Sequence, residues 1–203
     1  MPSRDPPADR PGRGTKTHTT AVVLIPPDEV WEPIQAIRRR HDRQVRRWMP
    51  HVTLLYPFRP REEFQEAERE FQAALRGVAP FELSLARFHW FSHGGSSYTL
   101  WLATEPTPPL LDLHRVLLEA APECDDTARH RQGFQPHLSV GQFRGPRETL
   151  GRLLESLQES WRPLRFTARH VSLIWRGMPP DDVFRVDREI SLSFGLPPAD
   201  LRG

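Results

Sequence analysis

"MPHVTLLYPFRPREEF" (residues 49–64) returns in altered form as "QPHLSVGQFRGPRETL" (residues 135–150). Each copy reads Pro-His-apolar-Thr/Ser-apolar, runs on through Phe-Arg, and meets a helix start at Pro-Arg-Glu. His51 and His137 lie 86 residues apart, as do Thr53 and Ser139; Pro80 and Pro163, ahead of the next strands, lie 83 apart. Shared residues with shared flanks at near-constant spacing indicate two βαββ-like units, each carrying its histidine on its first strand.

Outward from these stretches the elements are well punctuated. "HTTAVVLI" reads as a buried strand stopped by Pro26 and Pro27. A helix follows from about Trp31, where Pro33 sits in the first turn, and runs into "RRRHDRQVRR". "PREEFQEAEREFQAALRG" puts Phe64, Ala67, Phe71 and Leu75 on one helical face, with Gly77 as its C-terminal cap. "FELSLARFHWF" and "SYTLWLA" flank "SHGGS" as a hairpin, and "PPLLDLHRVLLEA" is the next helix. Strand "HLSVGQF", helix "PRETLGRLLESLQES", strand "LRFTARHVSLIW" and strand "VFRVDREISLSF" complete the chain. The expected fold is α+β: a bilobal, duplicated arrangement of two antiparallel sheets lining a central cleft, with helices packed outside. Residues 1–17 are Pro, Arg, Asp and Gly with little to bury, an expected disordered tail; residues 18–203 are expected as a single bilobal domain.

Strand alternation turns the repeat into chemistry. His51 and Thr53 point to one face, as do His137 and Ser139, while Val52, Leu54, Leu138 and Val140 point to the other. The apolar set belongs under the helices, so two imidazoles and two hydroxyls are left to converge in the cleft. Two histidines near an ordinary pKa of about 6.5 supply one base and one acid at neutral pH. Phosphodiester hydrolysis uses both, and hydroxyls beside backbone N–H groups hold the non-bridging oxygens as charge develops. His18-Thr19-Thr20 and His170-Val171-Ser172 also fit H-x-[ST], but only the copies at Pro50 and Pro136 match in their flanks; His170 is a second choice of site residue.

These residues resemble the 2H phosphoesterase family, also called the 2'-5' RNA ligase-like superfamily, in which two H-x-[ST]-x motifs face each other across a bilobal fold. The likeness covers about Thr19 to Ser193. It implies His51 and His137 as catalytic histidines, Thr53 and Ser139 as the paired hydroxyls, and metal-independent opening of 2',3'-cyclic phosphates of RNA ends or nucleotides, or cleavage of 2'-5' linkages, with ligation as the reverse. Where some members carry a basic residue shortly after the second motif, this chain has Gln142, with Arg144 two positions on. Phe58, Phe143 and Arg144 are the expected substrate-binding residues: the phenylalanines for base stacking, the arginine for phosphate. Trp90 and His93 are candidates for the cleft mouth.

Composition bounds the alternatives. The net charge is +2, and of 28 basic residues only Lys16 is lysine, so positive charge is nearly all guanidinium, suited to phosphate. Six arginines fall between Arg38 and Arg47, directly before the first motif; such a run draws polyanions and favours RNA over a mononucleotide. The single cysteine, Cys124, closes no intramolecular disulfide, no Cys/His cluster has zinc spacing, and no Gly-rich phosphate loop occurs. No apolar run approaches the roughly eighteen residues of a membrane span, and the N-terminus lacks a signal peptide's apolar core. The expectation is a cytoplasmic monomer without cofactor, metal or obligate protein partner, acting on an RNA end or cyclic nucleotide. Two other readings use the same residues: a non-catalytic nucleotide or RNA binding module, and a metal hydrolase needing His170 or an acidic residue as a third ligand.

Overall fold

The computed structural model describes residues 15–129 and 133–193. In chain order it contains β1 (Thr20–Leu24), α1 (Trp31–His41), β2 (Val52–Leu55), α2 (Phe64–Ala74), β3 (Phe81–Ser92), β4 (Ser97–Glu105), α3 (Pro108–Ala120), β5 (His137–Arg144), α4 (Arg147–Ser160), β6 (Leu164–Ala168), β7 (His170–Trp175) and β8 (Arg185–Ser191). Most of the tail expected at residues 1–17 lies outside the described residues. Thr17, at its end, is tied down: its N–H donates to the Phe58 carbonyl at 2.7 Å and its carbonyl accepts from the Phe58 N–H at 3.3 Å.

The strands run β6-β3-β4-β5-β2-β1-β7-β8, every neighbouring pair antiparallel. The two expected sheets are therefore joined as two four-stranded halves. Their junction, β2 against β5, rests on the single pair Val52↔Leu138. "LRFTARHVSLIW", expected as one strand, divides at Arg169: β6 pairs with β3 at one edge, and β7 lies between β1 and β8 near the other. With one residue between them, β6 and β7 are adjacent only if the sheet curls until its two ends approach each other.

The helices cover one face of this sheet. Ile34 of α1, Phe64, Ala67 and Phe71 of α2, Leu110, Leu113 and Leu117 of α3 and Leu150 of α4 are buried in one cluster with Val22, Leu24, Val52, Leu54, Leu100, Leu102, Leu138 and Val140 of the strands. Each such large apolar side chain contributes about 1.5–3 kcal/mol by leaving water. The opposite face carries a smaller apolar cluster, Ala21, Val23, Ile174 and Phe184, flanked by Trp48, Met49 and Tyr56. Its polar positions are thereby left to a cleft. No helix among the described residues is long and apolar enough to cross a membrane.

α1 packs directly on β5, and Gly141 is where they touch. A Cβ there would lie 2.6 Å from His41 Cβ and 2.7 Å from the His41 carbonyl oxygen. Gly151, within α4, has nothing within 4 Å of its would-be Cβ. Gly141→Ala should therefore cost about 2 kcal/mol of overpacking, while Gly151→Ala should stabilise by about 0.5–1 kcal/mol through helix propensity. Urea unfolding of the two variants checks the opposite signs.

Candidate active site

β2 and β5 occupy the middle of the sheet, and the pair Val52↔Leu138 fixes which side chains meet there. One residue either way along that register, His51 falls opposite Ser139 and Thr53 opposite His137. Cross-strand neighbours stand about 5 Å apart, so the four groups form a square on one face. Burial follows the same alternation: Val52, Leu54, Leu138 and Val140 are inaccessible, while His51, Thr53, His137 and Ser139 are half-buried.

Both imidazoles are held in the same way. His51 Nδ1 donates to the Met49 carbonyl at 2.7 Å, and His137 Nδ1 donates to the Gln135 carbonyl at 2.7 Å. A proton committed at Nδ1 puts the basic lone pair of each neutral ring on Nε2. The repeated Pro-His now has a cause. Pro50 and Pro136, both buried, fix φ and keep the preceding residue extended, which turns the carbonyl two residues back toward the ring. The Pro136 carbonyl in turn accepts from Thr104 Oγ1 at 3.1 Å.

Around His51 stands support that no local sequence pattern signals. Trp48 stacks on the imidazole, ring centroids 4.7 Å apart at 19°, and its other neighbours are Phe184, stacked at 3.7 Å, and Tyr56, edge-on at 5.8 Å. The Trp48 carbonyl is gripped by Arg38, whose Nη2 donates to it at 2.9 Å while Nη1 reaches Gln35 at 3.0 Å and Nε reaches Asp42 at 2.9 Å. Arg38 is only 2% exposed. Asp42 also accepts from Gln142 Nε2 at 3.0 Å, and Gln142 Oε1 accepts from the Arg43 N–H at 3.0 Å, so this network ties the segment before His51 to the strand of His137. Burial pushes the His51 pKa down to about 4; the Met49 bond and Asp42 oppose this, and Arg38 and His137 add to it. His51 is therefore neutral at pH 7.

His137 has an aromatic wall of a different kind. Phe91 and Trp101 meet it edge-on at 4.9 and 5.7 Å, and His89 and Phe91 each stack on Trp101 at 4.8 Å. Trp101 pairs with Ser139 across the β4–β5 ladder, and His89 and Phe91 share their strand face, so this wall lines the cleft beside the second motif. Trp90, the expected cleft residue, lies between them in sequence and so points the other way, edge-on to Tyr98 at 5.5 Å and under the Arg147 guanidinium. His93 sits exposed at the hairpin, bonded through Nε2 to Thr99 Oγ1 at 2.8 Å.

Two of the expected substrate-binding residues are corrected by position, and so is most of the basic run. Phe58 is fully buried against Phe64 and Phe71, so it serves the core rather than a substrate. Phe143 does not share the face of His137 and Ser139. A bulge gives β5 one extra residue, Val140, between the pairs Trp101↔Ser139 and Leu100↔Gly141, and beyond it alternation is reversed. Gln142 then takes the face of Ser139, opposite Thr99, while Phe143 pairs with Tyr98 on the side of the core. Arg144 ends β5 exposed. The basic run is largely spent internally: besides Arg38, Arg39 pairs with Glu32, and Arg46 and Arg47 hold Asp182 at 2.6 and 2.5 Å.

Of the lesser histidines, His18 is exposed and edge-on to Tyr56. His170 lines a separate cavity of about 590 Å³ with Arg165, Arg169, Ser172 and Glu189. The β1–β2 and β1–β7 registers put it in one row with His51 but two strands away. Both its ring nitrogens are buried with no hydrogen-bond partner among the described residues. Among the described residues no three His, Cys, Asp or Glu side chains converge as a metal-ligand set. Cys124 is buried, its thiol pushed up to about 12.

The family described as the 2'-5' RNA ligase superfamily matches residues 26–179. Proteins bearing a phosphoesterase name from Oceanobacillus iheyensis and Geobacillus kaustophilus are 27% and 26% identical over 122 and 121 residues; these cover 60% and 59% of this chain and 68% and 66% of those proteins. Among solved structures, TT0787 of Thermus thermophilus aligns over 85% of this chain and 97% of its own, with TM-score 0.60 and 20% identity. Escherichia coli LigT in complex with 3'-AMP aligns over 87% and 98%, with TM-score 0.59 and 15% identity. These two likenesses establish the fold.

Two measurements test the site's construction. A histidine whose folded pKa lies below its unfolded value of about 6.5 contributes full stability above that pH and loses it as pH falls toward about 4. The His51 ring should titrate near 4 by NMR, and His51→Gln should flatten the loss of stability between pH 6.5 and 4; a midpoint near 6.5 would refute the burial. Removing one partner of a buried ion pair strands the other, so Arg38→Met should lose about 3 kcal/mol in urea unfolding, with Arg38→Met/Asp42→Leu recovering most of it.

Proposed function

The chain belongs to the 2'-5' RNA ligase superfamily, and from that premise we propose that it is a phosphodiesterase that opens 2',3'-cyclic phosphates on RNA ends or nucleotides. The observation that carries this reading is the matched pair of Nδ1–carbonyl bonds, which give two imidazoles on adjoining strands the same tautomer, with the basic lone pair on Nε2. Such a pair is what in-line hydrolysis of a phosphodiester needs.

The lowered pKa of His51 supports one division of roles. His51, neutral at pH 7 because burial and the neighbouring Arg38 lower its pKa, acts as the base: its Nε2 takes a proton from water as the water oxygen bonds to phosphorus. His137 acts as the acid, giving a proton to the ribose oxygen as its bond to phosphorus breaks. The Thr53 and Ser139 hydroxyls donate to the non-bridging oxygens, whose charge grows as the fifth bond forms. After one turnover the net proton transfer is from His137 to His51, and exchange with solvent restores both. A 2'-5' linkage presents the same bonds, and a ribose hydroxyl replacing water runs the reaction toward ligation. The wall of Phe91, Trp101 and His89 offers a face for a base next to His137. The crystallisation of LigT with 3'-AMP supports a nucleotide ligand for this fold.

Turnover of the four nucleoside 2',3'-cyclic phosphates in EDTA tests the reading. His51→Ala and His137→Ala should each lower kcat by about 10²–10⁴, with wild-type activity unchanged by the chelator. Loss of wild-type activity in EDTA would favour the metal hydrolase. Binding without turnover in wild type would favour the non-catalytic module.

A further inference from the structure

The expected polyanion site survives the internal pairing of the basic run only in part, and the surviving part meets a residue from elsewhere. A groove of about 440 Å³ lies where the end of α1 meets the end of β5, lined by Arg39, Arg40, Arg43, Gln142 and Arg144. Asp42, the one carboxylate among its lining residues, is already engaged by the buried Arg38. Arg40, Arg43 and Arg144 are exposed, and none forms an ion pair with another described residue. We propose that this groove binds the phosphodiester backbone of an RNA strand whose 3' end occupies the histidine cleft, which makes an oligonucleotide, rather than a mononucleotide, the preferred substrate.

This inference rests on the phosphodiesterase reading and deepens it. Geometry connects the two places: Gln142 shares the face of Ser139 three residues along β5, about 10 Å away, and Arg144 lies further still. A mononucleotide with its one phosphate at the histidines has no second phosphate to offer the arginines, whereas a strand leaving along β5 does. Arginines at the end of a helix also complement its dipole, which would explain Arg40 and Arg43 without any ligand. It would not bring Arg144 to them from another element, nor leave three guanidiniums around one groove without an ion pair among the described residues, in a chain whose net charge is only +2. The repeat sharpens the point. Arg59, the counterpart of Arg144 in the first copy, is bound by Glu123 at 2.6 Å and also by Glu70, so that position serves the fold in one copy and faces solvent in the other.

The test compares adenosine 2',3'-cyclic phosphate with a tetranucleotide ending in the same group, on wild type and on the triple variant Arg40→Gln/Arg43→Gln/Arg144→Gln. Three phosphate contacts to a single strand give a slope of about −2 in log kcat/KM against log salt. Wild type should show that slope for the tetranucleotide and a shallow one for the mononucleotide. The variant should lose about tenfold or more on the tetranucleotide at low salt, abolish most of its slope, and keep mononucleotide turnover within about twofold. Equal slopes for the two substrates, or equal losses on both, would overturn the proposal. If wild type turns over neither, the phosphodiesterase reading fails by itself. The groove is then judged by anisotropy of a fluorescein-labelled tetranucleotide, where the same slope and its loss in the variant uphold it and their absence rejects it.

Discussion

One residue pair, Val52 against Leu138, joins the two halves of the sheet, and everything at the site is counted from it. A slip of one residue along either strand would turn its alternation over, sending a histidine under the helices and a leucine or valine into the cleft. A single ladder pair is too little to forbid that alone. The register is held from outside the junction: α1 lies so close on Gly141 that no Cβ fits, and Gln142 is bonded to both Asp42 and Arg43 just after that helix. The apolar alternation of Val52, Leu54, Leu138 and Val140 supplies the rest, because each is fully buried only in this register.

The arginine run shows how misleading a local charge count is when partners are distant in sequence. Arg38 disappears into the structure with Asp42 and carries the Trp48 carbonyl, and through it the ring that shields His51. Arg46 and Arg47 converge on Asp182, 136 and 135 residues away, beside the Phe184 that stacks on the same tryptophan. Half of the run is thus scaffolding for the first motif. A buried pair such as Arg38 with Asp42 contributes little net stability, since desolvation offsets attraction, but it is costly to break and fixes geometry.

Reading the sequence recovered what short-range periodicity encodes. The face of α2 carrying Phe64, Ala67 and Phe71, the hairpin turn at Gly94 and Gly95 with positive φ, and the alternation around both histidines all stand as read. Several failures share one cause, the assumption of unbroken alternation. The extra residue at Val140 exchanged the faces of Gln142 and Phe143, and an irregularity between Leu85 and Phe88 accompanies the placing of Trp90 under the helices and of Phe91 in the cleft. The break at Arg169 was visible in principle: the apolar steps Phe166, Ala168, Val171, Leu173 skip one beat there, which a single strand cannot do without changing faces. Phe58, Trp48 and Arg38 had no such signal, because their roles depend on partners set by tertiary packing.

The two copies of the motif are alike in backbone and unlike in surroundings, and the proposed chemistry makes use of that difference. Equal histidines in equal settings would compete for the same proton, neither poised as base nor as acid. Here the first ring lies against Trp48 and beside the cationic Arg38, which with burial keeps it unprotonated, while the second meets Phe91 and Trp101 edge-on at a cleft wall. The arginines after each motif diverge in the same direction, Arg59 bound by two glutamates and Arg144 exposed. On the proposed chemistry the first half therefore activates water and the second half receives the strand. Two copies of one motif on adjoining strands bring the groups together, and on the proposed chemistry their unequal packing gives the substrate a direction.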